Sequence, residues 1–218
     1  MTNVPLSSEW GQMSLRDIAL ATGTDKLKHK FENKYEYHLG SQRLAPIALL
    51  EIGVKKGGSL AMWERFFPNA TIFGIDITPQ CATMATARST IFIGDQANRQ
   101  FLHDVARKIG RPLDVVIDDG GHSMEQQRTS FDVLFEYVRP DGFYVIEDIH
   151  TSYRDDRGGG PAGTPGTCVA MVKDLIDDLH FKFVRLRGGK DKYPIAELHI
   201  YPKLCFVKKA DPVSRLAK

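Results

Sequence analysis

The chain has 218 residues, 42% of them hydrophobic and 26% charged, with a formal net charge of +2. That is enough for one domain with a full core and hardly enough for two, and so small a net charge gives no argument for a nucleic-acid binder, which usually shows a concentrated basic face. Three widely spaced cysteines, Cys81, Cys168 and Cys205, form no CxxC pair, which argues against a structural zinc site and a disulfide framework.

The N-terminal MTNVPLSSEW lacks the basic-then-apolar order of a signal peptide. No apolar run reaches membrane-spanning length. A cytoplasmic protein with reduced thiols is therefore expected. SLRDIALATG (14–23) has helical spacing and a glycine stop. The basic cluster KLKHKFENK (26–34), broken by Glu32, reads as a solvated helix face, and HKFENKYEYHLGSQRL (29–44) as a helix or helix pair. Then the rhythm changes. Apolar runs at 46–54, 70–77, 90–95, 113–119 and 142–148 read as strands. They alternate with helical segments at 59–67, 81–88, 98–110 and 124–138. That alternation predicts an α/β fold with a doubly wound parallel sheet. RDDRGGGPAGTPGT (154–167) reads as a mobile loop, and 167–183 as a helix. PIAELHIYPKLCFVKK (194–209) reads as a hairpin turning at Tyr201-Pro202-Lys203, which places an antiparallel strand in the sheet. That closing hairpin is typical of the methyltransferases among doubly wound folds. The expected organisation is an N-terminal helical segment (1–45), a core domain (46–210) and a short tail (211–218).

The first strand leads into ALLEIGVKKGGSL (48–60). A dinucleotide fingerprint needs glycines at relative positions one, three and six; position three here is Lys55. ExGxxxGG instead resembles the first motif of the S-adenosylmethionine-dependent methyltransferases, although a plain strand-to-helix turn has the same composition. Asp76 ends the second strand about twenty residues on, where an acid commonly accepts from ribose hydroxyls. Asp95 and Gln96 end the third. Ligands of open α/β sheets collect at these strand ends.

Strands four and five end in VVIDDGGH (115–122) and YVIEDIH (144–150). Convergent carboxylates repel one another unless protonated or bridged by a cation, and hard oxygens suit magnesium, manganese or calcium. A divalent cation is expected there. The alternative is that the acids cap helices or pair with Arg128, Arg139 or Arg154. His122 is placed as a general base, with His150 as its competitor.

GTDK (23–26), LLEIGVKKGGSLAMW (49–63), FPNATIFGIDI (67–77), VIDDGGH (116–122) and VIEDIHTSY (146–153) together resemble the metal-dependent sugar O-methyltransferases of macrolide biosynthesis, the mycinamicin type. They are also similar to mycobacterial rhamnosyl methyltransferases and, more distantly, to the cephamycin-pathway methyltransferase. The resemblance implies S-adenosylmethionine and Mg2+ as cofactors, with Asp119, Glu147 and Asp148 on the metal and His122 as the base. It implies a cofactor set of Thr24, Lys26, Glu51, Gly53, Gly57, Ser59, Asp76, Asp95, Gln96 and Asp118. The implied acceptor is a sugar hydroxyl on a glycosylated natural product or glycolipid, and the implied state a homo-oligomer with no nucleic-acid partner. Two departures stand out. Macrolide enzymes carry a further N-terminal domain for which this chain has no room, and His29-Lys30-Phe31 replaces the family's His-Gly-Tyr-like step. A catechol-type O-methyltransferase and a non-catalytic cofactor-binding subunit are the competing readings.

Overall fold

β-Branched and aromatic residues in short runs, punctuated by glycine, proline or a helix cap, form seven strands among the described residues. They are β1 (Ala48–Ile52), β2 (Thr71–Asp76), β3 (Ser89–Ile93), β4 (Leu113–Asp118), β5 (Val138–Glu147), β6 (Ile195–Tyr201) and β7 (Leu204–Lys209). The α-helices are α1 (Leu15–Thr22), α2 (Glu32–Leu39), α3 (Gly58–Phe66), α4 (Arg99–Ile109), α5 (Met124–Leu134), α6 (Cys168–Leu179) and α7 (Phe181–Leu186). The structure, a computed structural model, describes residues 10–213. The start of the expected N-terminal segment (1–9) and the end of the tail (214–218) lie outside the described residues.

The strands make one mixed seven-stranded sheet in the order β3-β2-β1-β4-β5-β7-β6. β1 pairs parallel with β2, β2 with β3, and β4 with β5. The hairpin β6–β7 is antiparallel, and β7 also pairs antiparallel with β5. This is the doubly wound methyltransferase-like sheet with its closing antiparallel strand. β1 and β4 are buried along their whole length, as strands covered on both faces must be.

The chain divides into two compact units, Met1–Ile93 and Gly94–Lys218. In the first, Ser14 caps α1 by accepting from the Asp17 N–H, and Gly23 ends it at φ 66°. Leu15, Ile18, Tyr35, Leu39, Trp63 and Phe66 form its core beside β1. In the second, Ser123 and Gln126 form a reciprocal capping box on α5. Its core includes Val115, Ile117, Phe131, Val145 and Phe206.

Four expectations need correction. Residues 81–88 do not make an α-helix: a 3-10 turn runs from Pro79 to Met84 and ends at Ala85, whose backbone is extended. The sequence between Thr86 and Arg88 is held by Ser89 and Thr86 hydroxyls instead. The strand expected at 142–148 begins earlier, at Val138. The basic cluster at 26–34 is not a uniformly solvated face, because Lys26 and Glu32 are 1% and 0% exposed. The segment 154–167 is not a slack loop: successive turns bond Gly158 to Asp155, Gly159 to Arg154, Gly160 to Ser152 and Thr164 to Pro161. Among the described residues no helix is long and apolar enough to cross a membrane.

Candidate active site

In the first unit the chain leaves β1 through a turn that only some residues can make. Gly53 and Gly57 take φ of 96° and 74°, and Lys55 takes 53°. Asp76, at the end of β2, holds this turn. Its Oδ2 accepts from the N–H groups of Val54 and Lys55, both at 2.9 Å, and its Oδ1 accepts from Thr78 at 2.8 Å. The Cys81 thiol donates to the Lys55 carbonyl at 3.2 Å. Burial pushes the Asp76 carboxyl up, but the backbone N–H groups of Lys55 and Thr78 outweigh it and bring the group below its ordinary value.

Behind the turn, Glu51 is fully buried. Its oxygens accept from Ser59 Oγ at 2.7 Å and Trp63 Nε1 at 3.1 Å, and Lys26 Nζ lies 3.2 Å away. The Lys26 ammonium also sits over the Tyr35 and Trp63 rings, 5.7 and 6.0 Å from their centroids. Thr24 caps the 3-10 segment Asp25–His29 that delivers Lys26. The side chains of Lys26, Glu51 and Ser59 are thus engaged inside the protein, and the backbone of the turn is what this strand end presents. Trp63 escaped the sequence reading. Its position four residues after Ser59, on one helix face, was the available signal.

In the second unit the paired acids of β4 part company. Asp118 is fully buried. It accepts from Ser130 Oγ, from Gln96 Nε2 at 3.0 Å and, at longer range, from the Gly120 N–H and the Tyr144 hydroxyl at 3.4 Å. Burial raises its carboxyl against the donation from Ser130 and Gln96. Asp119, just past the end of β4, has a side chain 20% exposed. Asp95 is exposed and accepts from the Ala97 N–H at 2.8 Å.

Asp119, His122 and Asp148 bring one ligand atom each to within 4.8 Å of one another. His122 Nε2 is 3.8 Å from Asp119 Oδ1 and 3.5 Å from Asp148 Oδ2. His150 Nδ1 is 3.5 Å from Asp148 Oδ1. Glu147 is not in this triad. It is 2% exposed, and its carbonyl accepts from Gln127 Nε2 at 2.7 Å. Asp148 Oδ1 and His122 Nδ1 are buried with no hydrogen-bond partner among the described residues. His122 and Asp148 both adopt left-handed backbone, at φ 57° and 53°, a conformation that costs roughly 1 kcal/mol or more per non-glycine residue. The three arginines offered as alternative partners are engaged elsewhere: Arg128 with the Gly166 carbonyl, Arg139 with Asp114, and Arg154 with Asp156.

These features suit a hard cation: two carboxylates converge, Asp148 keeps a buried oxygen without a hydrogen bond among the described residues, and a left-handed backbone at His122 and Asp148 sets both side chains there. The sequence reading placed His122 beside the acids, and its Nε2 lies within 4 Å of both Asp119 and Asp148.

Residues 50–149 match the family described as a methyltransferase domain. The chain is 35% identical over 207 residues to the 8-demethyl-8-alpha-L-rhamnosyl tetracenomycin-C 2'-O-methyltransferase of Streptomyces olivaceus, covering 89% of this chain and 54% of that protein. It is 39% identical over 195 residues to the mycinamicin VI 2''-O-methyltransferase of Micromonospora griseorubida, covering 83% and 48%. Among solved structures it superimposes on MycE, the methyltransferase of the mycinamycin biosynthetic pathway in complex with Mg, SAH and mycinamycin VI. The TM-score is 0.82 at 36% identity, over 91% of this chain and 55% of that one. The chain therefore spans about half the length of the curated relatives it matches.

Proposed function

The chain belongs to the methyltransferase family that these sugar O-methyltransferases represent, and from that premise we propose that it transfers the methyl group of S-adenosylmethionine to a sugar hydroxyl of a glycosylated natural product, with Mg2+. The observation that carries this reading is the triad Asp119–His122–Asp148, with a buried Asp148 oxygen that makes no hydrogen bond among the described residues and two left-handed residues.

The sulfonium donor is activated by its own charge, so the difficulty lies with the acceptor. A sugar hydroxyl ionises near the range of water, and a bound divalent cation lowers the pKa of such an oxygen and orients it. Asp119 and Asp148 would hold that cation, and Glu147, assigned by resemblance, would contribute from the adjacent position. His122 Nε2 would accept the hydroxyl proton as the oxygen attacks the methyl carbon and the carbon–sulfur bond breaks. The imidazolium that forms would face Asp119 and Asp148, whose charge favours it. A placed base of this kind contributes about a hundred- to ten-thousand-fold, and alignment of oxygen, carbon and sulfur supplies more. The turn after β1, held open by Asp76, would receive the amino-acid part of the cofactor against the backbone of Gly53 and Gly57.

The test is thermal unfolding with S-adenosylhomocysteine, with and without Mg2+. A ligand at a hundred times its dissociation constant stabilises the folded state by about 2.7 kcal/mol. A clear upward shift, extended by Mg2+, is expected and leads to a screen of glycosides against catechols. The absence of any shift with S-adenosylhomocysteine overturns the reading.

A further inference from the structure

The turn that carries His122 is gripped by side chains from four separate segments. Gln96 Oε1 accepts from the Gly121 N–H at 2.8 Å. Arg157 Nη1 donates to the Gly121 carbonyl at 2.8 Å. Thr151 Oγ1 donates to the His122 carbonyl at 2.8 Å. Gln126 Oε1 accepts from the Ser123 N–H at 3.2 Å. A left-handed histidine persists only where its surroundings over-determine it, and here the peptide groups on both sides of it are fixed. Gln96 and Gln126 do other structural work as well, on Asp118 and on the α5 cap. Arg157 reaches in from the glycine- and proline-rich segment, at the end of a 3-10 turn (Asp155–Arg157) that is followed by left-handed Gly158, and its Nε also lies 3.7 Å from Asp156 Oδ2. That segment is seated closely: a Cβ on Gly159 would stand 2.4 Å from the Ser152 carbonyl oxygen.

We propose that Arg157 is a positioning residue that, by donating to the Gly121 carbonyl, locks His122 in its left-handed turn facing Asp119 and Asp148 and so couples the segment 154–167 to the imidazole. The catalytic meaning of this lock rests on His122 being the base; the lock itself does not.

The experiment follows the His122 imidazole by NMR in the full chain, through its Cε1–H correlation, assigned by its loss in His122→Ala. The signal is expected to be single in the wild type, broadened or split in Arg157→Ala, and single again in Arg157→Lys, which restores a cationic donor. Arg157→Gln, which keeps an N–H donor but no charge, serves if Arg157→Ala fails to fold and is expected to give a signal between the two. The signal of His103, whose Nδ1 contacts the Tyr137 hydroxyl, is expected to stay unchanged, which a general loosening of the fold would not allow. An unchanged His122 signal in the folded variants overturns the lock. If the signal responds as expected while His122→Ala keeps full turnover in the acceptor screen, the base assignment fails and the lock stands.

Discussion

The strand ends of this protein carry acids and treat them in opposite ways. At the end of β1 Glu51 is buried and closed, facing an ammonium, a hydroxyl and an indole N–H. At the ends of β4 and β5 Asp119 and Asp148 are partly exposed, and one buried oxygen of Asp148 has no hydrogen-bond donor among the described residues. The same contrast in burial recurs between neighbours, since Asp118 is fully buried and the Asp119 side chain is 20% exposed. An acid at a strand end is therefore not a site in itself. Burial among donors marks a carboxylate that stabilises the fold, and partial exposure beside His122 marks the ones that a ligand can reach.

The comparison breaks most visibly if the open acids are replaced. Asp148→Asn is expected to reduce turnover by about a thousandfold, in line with the several kcal/mol a polarising cation supplies. The ligand-free protein should lose little stability, since a strained like-charge pair is relieved. Steady-state kinetics and a denaturant titration of the same sample check both halves, and wild-type turnover would remove Asp148 from the site. Glu51→Gln should behave in reverse. It leaves the Lys26 charge buried without its counter-ion, a change that costs about 3–5 kcal/mol, to be read from the midpoint of urea unfolding.

Asp76 gives a finer test, because its hydrogen bonds hold the glycine turn. Asp76→Asn should lose about 2 kcal/mol at neutral pH, the order expected for bonds to a charged acceptor. Its folded-state pKa lies below the ordinary carboxylate value. Its contribution is therefore complete above the unfolded value of about 3.9 and is lost as pH falls through the lower, folded value. The stability difference between wild type and Asp76→Asn should accordingly shrink in acid, and a difference that grows below pH 4 would contradict the assignment. The smallest effect is expected at Tyr144, whose hydroxyl makes a long 3.4 Å contact with Asp118. Tyr144→Phe should cost about 0.5–1.5 kcal/mol in the same titration and leave Asp118 closed by Ser130 and Gln96.

Much of the architecture was legible in order along the chain. Apolar runs such as ALLEI and LDVVID, separated by caps and glycines, report a buried parallel sheet because a strand covered on both faces has no polar side to show. The hairpin was legible because Pro202-Lys203 interrupts two strand-like runs. The family motifs, DDGGH and EDIHTSY above all, pointed to the residues of the triad. What the linear order could not decide was which member of each acidic pair is open. That depends on partners far along the chain: Ser130 and Gln96 for Asp118, and Lys26, Ser59 and Trp63 for Glu51. Nor could composition reveal that a glycine- and proline-rich stretch is pinned, since its bonds run from Arg157 to Gly121 and from Arg128 to Gly166. Local sequence determined the strands, their ends and the kinds of group placed there. Only the tertiary structure decided their charge environment, because a carboxylate's role is set by the donors that packing brings within hydrogen-bond reach.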